Sequence, residues 1–419
     1  MIDKESAQNF LKTPLRPGAV FEPMLEVLKF DPKKMWRIAK VMVDDSLHVQ
    51  EGDRLLIKLN PGGRQLASML AYQAAQKGAA VIHRVEDQTV EAALLAGMEG
   101  HITPAVFEEM AAVTNAEITW STKVAFVRCV DDPNARRIVD GNILNLWNQA
   151  LEPSLDVRVE RRDWTLIYMP TPAEAQLDGM PYEECVQMFL DGCDRQWRKI
   201  KTAQQVLIDE NLNPGERLEI HAGEDLDKRW QTHVAMSIIN QTFANSTVDK
   251  NVPGSEVFSS PVRGTIEGVW AIPYPVMFNG LALRNLILVF KDGKVVEHYT
   301  DEPGGMDWVE KQLSVDEGAR EVGEVALGTN RAFDRPLLNG FFVEKVGGSS
   351  HLAIGRAYEL RTYNGLPVKL DNGVRSANHI DLTRLMLPNY GGGRVLVDGK
   401  LIQQNGDFLD PRLAILNAK

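Results

Sequence analysis

The chain has 419 residues, of which 44% are hydrophobic and 25% are charged, as in an ordinary globular protein. This length exceeds what one hydrophobic core usually organises, so two domains are expected. The formal net charge of -11 at pH 7 disfavours sequence-independent nucleic-acid binding, which depends on a basic face that neutralises phosphates.

The N-terminal residues MIDKESAQNF are charged and lack the apolar core of a signal peptide. No run approaches the roughly 20 apolar residues that a membrane span needs. The three cysteines, Cys129, Cys185 and Cys193, show no CxxC spacing, so buried thiols are predicted rather than disulfides or a thiolate zinc site. Together these features predict a cytoplasmic protein without a membrane partner.

The first half of the chain alternates apolar runs with amphipathic stretches. The predicted helices lie at 34–49, from about 64 to Lys77, at 103–115 and at 134–150, and the predicted strands are RLLIKL, AAVIHRV, KVAFVRCV and DWTLIYMP. Such alternation favours a mostly parallel sheet covered by helices. The sequence therefore predicts a doubly wound N-terminal α/β domain. The NPGG segment after the first strand lacks the glycine patterns of phosphate-binding loops and is interpreted as a tight turn.

The second half has a different pattern. A polar segment from Pro181 to about Gln205 has a helical period and is interpreted as a connector. After it, short β-type runs alternate with glycine-containing turns, and a helix is predicted over 306–320. Three dipeptides are strong hairpin signals, namely Asp292-Gly293, Asp398-Gly399 and Asn405-Gly406. We therefore predict an N-terminal domain over 1–205 and a β-rich α+β C-terminal metal-binding domain over 206–419.

Carboxylates and imidazoles are concentrated in the C-terminal half. In the NHID segment, His379 and Asp381 would point to the same face of a strand, which is an efficient way to give a metal two ligands. Glu324 lies between apolar residues in GEVALG, where an unpaired charge would be costly. His351 in GGSSHLAIG fits either a metal ligand or a core histidine. Glu256, Glu344 and the pair His379 and Asp381 could equally lie on a solvated surface. The pattern alone therefore leaves open whether these residues bind a metal or are exposed to solvent.

Four ordered motifs carry a resemblance to a known family. The segments NVPGSEVFSSP, EGAREVGEVALG, HLAIGRAY and NHID resemble the aminopeptidase T and aminopeptidase S family of metal-dependent exopeptidases. Weaker similarity extends forward through GDRLLIKLN and YMPTPAEAQ. The resemblance implies two divalent metal ions per chain, of zinc, cobalt or manganese, and release of the N-terminal residue from short peptides. It also implies a homodimer.

Site residues follow from the resemblance position by position. It implies that the family's metal ligands correspond to Glu256, Glu324, His351, His379 and Asp381, with Glu324 also catalytic, and that Tyr358 is the catalytic tyrosine. One departure affects a further ligand. The family's carboxylate five positions before the motif histidine is replaced here by Val346, and the nearest carboxylate is Glu344, which is predicted to reach the metal through a longer loop.

The same residues are compatible with two other functions. His351, His379 and Asp381 also form the ligand set of a non-haem Fe(II) ring-cleaving dioxygenase of the dihydroxypyridine type, which resembles this peptidase family. Glu256 and Glu324 argue against that reading, since a mononuclear iron site does not use two further carboxylates. A catalytically weakened metal-binding relative is the third possibility, and the displaced carboxylate near Val346 favours it.

Overall fold

The computed structural model describes residues 29–98, 103–129, 139–161, 163–363 and 365–419. These residues divide into two compact units. The first unit comprises the described residues up to Ala175 together with Pro181–Leu190, and the second comprises Gln176–Met180 and Asp191–Lys419. These compact units are defined by contacts within the chain, and the functional domain limits of 1–205 and 206–419 stay a prediction. The mixed α/β fold with a β-rich C-terminal region is confirmed.

The helices and strands are numbered in chain order. The helices are α1 (Pro32–Val41), α2 (Arg64–Gln76), α3 (Gln88–Gly97), α4 (Pro104–Trp120), α5 (Gly141–Arg161), α6 (Pro172–Leu177), α7 (Tyr182–Cys193), α8 (Trp197–Leu207), α9 (Gly305–Leu313), α10 (Gly340–Val343) and α11 (Ala414–Asn417). The strands up to residue 299 are β1 (Arg54–Leu59), β2 (Ala80–Val85), β3 (Lys123–Arg128), β4 (Asp163–Tyr168), β5 (Arg217–Ala222), β6 (Thr232–Ser237), β7 (Ala244–Ser246), β8 (Asn251–Val252), β9 (Glu256–Ser259), β10 (Glu267–Ile272), β11 (Val276–Phe278), β12 (Leu281–Leu283), β13 (Leu286–Lys291) and β14 (Lys294–Tyr299). The remaining strands are β15 (Val322–Gly328), β16 (Ser349–Gly355), β17 (Thr362–Tyr363), β18 (Leu366–Pro367), β19 (His379–Leu385), β20 (Gly393–Val397), β21 (Lys400–Gln404) and β22 (Asp407–Phe408).

A parallel sheet organises the first unit, with its strands in the order β2-β1-β3-β4. The central strand β1 is buried from Leu55 to Leu59, as the continuous apolar run RLLIKL predicts for a strand covered on both faces. Leu56 packs against Val124 and Phe126 of β3 and against Ile118 of α4. The NPGG segment forms a short helical turn, and the backbone of Gly63 lies too close to Val127 for any side chain.

Several helix limits differ from the sequence prediction for identifiable reasons. The helix predicted over 306–320 ends at Leu313, because the Asp316 carboxylate accepts hydrogen bonds from Ser376 and the Ala377 amide and holds the backbone extended. The connector predicted over 181–205 is two helices, α7 and α8. The helix predicted over 34–49 changes to a wider turn after Val41, and the part of the 134–150 helix before residue 139 lies outside the described residues.

Two antiparallel sheets form most of the second unit. The larger sheet has the order β14-β13-β10-β6-β5-β20-β21-β22, and the smaller has the order β19-β16-β15-β9-β7. Trp270 of β10 is fully buried and donates a hydrogen bond to the Leu382 carbonyl of β19 at 3.1 Å. Tyr274 donates similarly to the Thr383 carbonyl at 3.2 Å. These two hydrogen bonds hold the backbone of β19 in place, and with it the positions of the residues that β19 carries.

All three predicted hairpin dipeptides form two-residue turns. They join β13 to β14, β20 to β21 and β21 to β22. Both residues of each dipeptide have positive φ, for example 50° at Asp398 and 78° at Gly399. This backbone shape matches the right-handed twist of paired strands, and Asp, Asn and Gly tolerate it. The three cysteines are buried thiols outside any disulfide, as predicted. Among the described residues, no helix is both long enough and apolar enough to cross a membrane.

Candidate metal centre

Four of the predicted ligands share one face of three neighbouring strands. Residues directly opposed in antiparallel strands point to the same face, as do residues two apart along one strand. Glu324 of β15 opposes Ala353 of β16, and Ala353 opposes Asp381 of β19. His351 lies two residues before Ala353, and His379 two residues before Asp381. The strand registers therefore bring these four ligands onto a single face.

The fifth predicted ligand joins the same face from β9. Glu256 opposes Gly328, which lies four residues after Glu324 on β15. The positions among the ligands are small residues, since Ala326 opposes His351 and Gly355 opposes His379. Small side chains leave room above the sheet for a cation and for a substrate.

Glu324 stands between the two histidines. Its Oε1 lies 3.5 Å from His351 Nε2, and its Oε2 lies 3.3 Å from His379 Nε2. His379 Nε2 is also 3.5 Å from Asp381 Oδ1. Atoms of Glu324, His379 and Asp381 lie within 4.8 Å of one another, a spacing that suits a metal ion. We call these three residues the open ligand group.

A hydrogen bond orients His379 for coordination. Its Nδ1 lies 2.7 Å from the Arg356 carbonyl oxygen, to which a neutral imidazole would donate, leaving the Nε2 lone pair facing Glu324 and Asp381. Metal-binding histidines usually have such a partner on the other nitrogen. Among the described residues, Asp381 Oδ1 is buried without a hydrogen-bond partner, although such atoms normally have one. Both features fit a cation between these side chains.

Glu256, Glu344 and His351 form a second group, whose atoms also lie within 4.8 Å of one another. Glu344 thus reaches the cluster from the end of α10, while Val346 is buried and apolar. Within the described chain, neither nitrogen of His351 has a hydrogen-bond partner. Lys345, which no sequence pattern had indicated, lies with its Nζ 2.6 Å from Glu256 Oε1 and 2.6 Å from Glu344 Oε1. We call Glu256, Glu344 and His351 the lysine-capped group.

The crowding of charges shifts the pKa of every group in the cluster. Burial raises the pKa of Glu324, but His351 and His379 outweigh it and lower that pKa to about 2. Burial lowers the pKa of both imidazoles, yet Glu324 and Glu256 raise that of His351 to about 9, and Asp381 and Glu324 raise that of His379 to about 10. Burial raises the pKa of Asp381 to about 6 despite His379.

Burial is the main cause of the pKa shifts of Glu256 and Glu344 in the lysine-capped group. Burial raises the pKa of both carboxyl groups, although the ammonium of Lys345 opposes both shifts. Burial also opposes charge on Lys345, but Glu256 and Glu344 hold its pKa above the usual range. The ammonium form is therefore strongly favoured.

Tyr358 borders the cluster from the loop after β16. Its ring centroid lies 5.4 Å from that of His379 and 5.4 Å from that of Phe258, and 40% of the residue is exposed. The negative charge of Glu324, with that of Asp381, raises the pKa of the Tyr358 phenol well above its usual value. The hydroxyl therefore remains protonated and can donate a hydrogen bond at the mouth of the site.

The geometry assembles all the residues that the sequence singled out, with Glu344 included. The signal that could have revealed Lys345 was its place directly after Glu344, within the apolar context VEKVGG. Burying a lysine is costly unless its charge is paired, so a lysine among apolar residues indicates a carboxylate partner.

Comparison with known proteins relates the chain to metallopeptidases. The sequence model of a family described as thermophilic metalloprotease (M29) matches residues 31–383. Aminopeptidase AmpS of Bacillus subtilis (strain 168) is 22% identical over 395 residues, which cover 83% of this chain and 92% of that protein. Aminopeptidase 2 of Geobacillus stearothermophilus is 27% identical over 233 residues, so the matched segment spans about half of each chain, 50% of this one and 54% of that one.

A solved structure shares the fold. Wild-type AmpT from Thermus thermophilus superposes with a TM-score of 0.68 and 19% sequence identity, covering 90% of this chain and 99% of that one. At this identity the likeness concerns the arrangement of helices and strands, and the chemistry of the cluster depends on the residues described above.

Proposed function

The chain belongs to the thermophilic metalloprotease (M29) family, and from this premise we propose that Glu324, His379 and Asp381 hold a divalent ion with which this metal-dependent aminopeptidase releases the N-terminal residue of peptides. The observation that carries the proposal is the set of ligands on one face of β9, β15, β16 and β19. The aminopeptidase names of its relatives support the reaction.

The open ligand group supplies two carboxylates and one imidazole. Nitrogen and oxygen ligands of this kind suit zinc, cobalt or manganese, and we propose one of these as the native ion. The prediction of two divalent ions per chain would assign the second ion to Glu256, Glu344 and His351. That ion would have to bind beside the ammonium of Lys345.

The proposed reaction divides the work between the ion and the chain. A divalent ion at the open ligand group would lower the pKa of a bound water and polarise the scissile carbonyl. Tyr358 is placed to donate its phenolic hydrogen to the oxyanion that develops as the peptide bond is attacked. A phenol of ordinary pKa, near 10, already keeps its proton at neutral pH, and the charge of Glu324 raises the pKa of Tyr358 further. Ala326 and Ala353 leave space for the substrate between the ligands.

The charge of the cluster explains why a free N-terminus would be preferred. With the imidazoles neutral, the four carboxylates of Glu256, Glu324, Glu344 and Asp381 outweigh the ammonium of Lys345 and one divalent ion by one negative charge. A peptide's α-ammonium group would be attracted to this negative site, whereas an internal peptide segment carries no such charge. We therefore propose exopeptidase action on short peptides.

The dioxygenase alternative uses His351, His379 and Asp381 as its iron ligands. Glu324 lies within 3.5 Å of both imidazoles. Its carboxylate would therefore be a further ligand of the iron, whereas the dioxygenase site has only His351, His379 and Asp381 as protein ligands. This observation favours hydrolysis. Oxygen uptake after anaerobic Fe(II) loading, with a dihydroxylated ring as substrate, would support the dioxygenase instead. A weakened relative would bind the ion and catalyse neither reaction.

The test of the proposed function is a peptidase assay on metal-reconstituted protein. Leucyl-p-nitroanilide and short peptides with a free N-terminus should be hydrolysed, and the same peptides acetylated at the N-terminus should not. His379→Ala should abolish turnover. His298→Ala is the matched control, because His298 lies on β14 outside the cluster, and it should retain activity. Absence of turnover in the wild-type protein with zinc, cobalt and manganese would refute the proposal.

Two further expectations come from the sequence and its resemblance. We propose a cytoplasmic location and a homodimer. Sedimentation equilibrium of the full chain would decide the oligomeric state, with a mass of about twice 46.8 kDa expected for the dimer.

A further inference from the structure

Lys345 is a fully buried cation inside the ligand cluster. Its side chain is 1% exposed, and its ammonium lies 2.6 Å from one carboxylate oxygen of Glu256 and 2.6 Å from one of Glu344. The backbone holds it there. Its amide donates to the Phe342 carbonyl of α10 at 3.1 Å, and its carbonyl accepts from the Asn330 amide at 2.9 Å. These bonds fix the backbone, and the two ion pairs with Glu256 and Glu344 hold the side chain in the cluster.

This ammonium stands where the two-ion prediction needs a second metal ion. A zinc ion would lie about 2.0–2.2 Å from ligating carboxylate oxygens. An ion bound to the same oxygens of Glu256 and Glu344 would overlap the Lys345 nitrogen, and like charges would repel. Resting on the proposed aminopeptidase function, we infer that the Lys345 ammonium takes the place of the second ion. The chain then binds one divalent ion, at Glu324, His379 and Asp381.

The charge balance of the cluster supports one ion. When both imidazoles are neutral, the four carboxylates carry four negative charges, and Lys345 with one divalent ion supplies three positive charges. One negative charge then remains to receive the α-ammonium group of a peptide. A second divalent ion would make the cluster positive and would repel that group. Buried charges require compensation, so a single ion is the state that also accommodates the substrate.

A rival arrangement gives Lys345 only an orienting role. Glu256 Oε2 is not bound by Lys345 and lies 3.7 Å from His351 Nε2, while Glu324 Oε1 lies 3.5 Å from the same nitrogen. A second ion held by these atoms would need Lys345 to fix Glu256. The two arrangements predict opposite effects of removing the ammonium. If Lys345 replaces an ion, its removal frees a site for one. If it only orients a ligand, its removal weakens a site.

The experiment counts bound ions rather than activity. Full-length protein is stripped with chelator, saturated with Zn²⁺, dialysed, and analysed for zinc per chain by mass spectrometry. Wild-type protein should hold one zinc, Lys345→Ala should hold two, and Lys345→Arg should hold one because the charge is kept. Lys294→Ala is the control, since Lys294 lies half-exposed on β14, and it should match wild type. Two zinc ions in wild type and fewer in Lys345→Ala would overturn the inference.

A second variant covers the case in which Lys345→Ala does not fold. Glu344→Gln removes a carboxylate of the lysine-capped group and leaves the open ligand group intact. It should still bind one zinc, with an affinity within about threefold of wild type. A fall from two ions to one would overturn the inference. Because zinc content is measured apart from hydrolysis, one ion without turnover would refute the proposed function alone, and two ions with turnover would refute this inference alone.

Discussion

Replacing Glu324 by glutamine tests the electrostatic core of the site. In the folded protein the pKa of Glu324 is lowered from 4.5 to about 2, chiefly by His351 and His379 against the effect of burial. That difference is worth roughly 3 kcal/mol at about 1.4 kcal/mol for each pKa unit. A depressed carboxylate pKa contributes stability that is present above pH 4.5 and is lost as pH falls towards 2. At pH 7 the contribution is complete.

Glu324→Gln should therefore lower the free energy of unfolding of the metal-free protein by up to about 3 kcal/mol at pH 7, the upper limit because the two histidines can release protons in the variant. Urea unfolding of chelator-treated protein measures the loss. The matched control is Glu310→Gln on α9, whose half-exposed ion pair with Arg320 should matter by less than about 1 kcal/mol.

The pH dependence supplies a second check on the same variant. The raised pKa values of His351 and His379, about 9 and about 10, mean that both partners of Glu324 lose their charge as pH rises through that range. The deficit of Glu324→Gln should accordingly shrink at pH 10.5. If Glu324→Gln unfolds at the same urea concentration as Glu310→Gln at pH 7, the charge arrangement described for the cluster is wrong.

Two other predictions concern turnover and metal affinity. Tyr358→Phe should lower kcat by about 100-fold, the usual cost of losing one oxyanion donor, while the zinc content stays unchanged. The control is Tyr299→Phe, which changes an exposed tyrosine on β14 and should behave as wild type. A Tyr358→Phe variant with the kcat of wild type would exclude the donor role. Binding of Zn²⁺ at the open ligand group requires neutral His379, whose pKa is about 10, so affinity should rise about tenfold per pH unit between pH 7 and pH 9. Calorimetry in buffers of different ionisation enthalpy should detect one released proton, and an affinity independent of pH would contradict this.

Repeating geometry made parts of the fold and the pairing of His379 with Asp381 predictable, whereas the ligand roles of Glu256, Glu324 and His351 followed from the family resemblance. The period of two along a strand placed His379 beside Asp381, and the registers of β15 and β16 then brought Glu324 and His351 to the same face. The hairpin at Asp398-Gly399 was predictable because few residues tolerate two consecutive positive φ angles.

The parts that were missed depend on contacts between distant segments. Lys345 lies between α10 and β16, where no period tells which way a side chain points, so only the structure shows it bound to Glu256, 89 residues away. The early end of α9 depends on the bonds of Asp316 to residues near 377. Helix α3 was also absent from the predicted helices, although the sequence contained a local indication of where it begins. Asp87 caps that helix by accepting from the amides of Thr89 and Val90.

The sheet beneath the cluster also limits which ions the site can accept. Neighbouring strands lie about 4.8 Å apart, and their backbone hydrogen bonds keep β9, β15, β16 and β19 at that spacing. The Cα positions of the ligands therefore stay fixed, and only side-chain rotation can adjust the distances between their ligating atoms. Calcium prefers six to eight oxygens at about 2.3–2.6 Å, whereas zinc is satisfied by four ligands at shorter distances. The open ligand group supplies three side chains from this sheet, so we expect the site to favour zinc over calcium through the number of ligands that it offers.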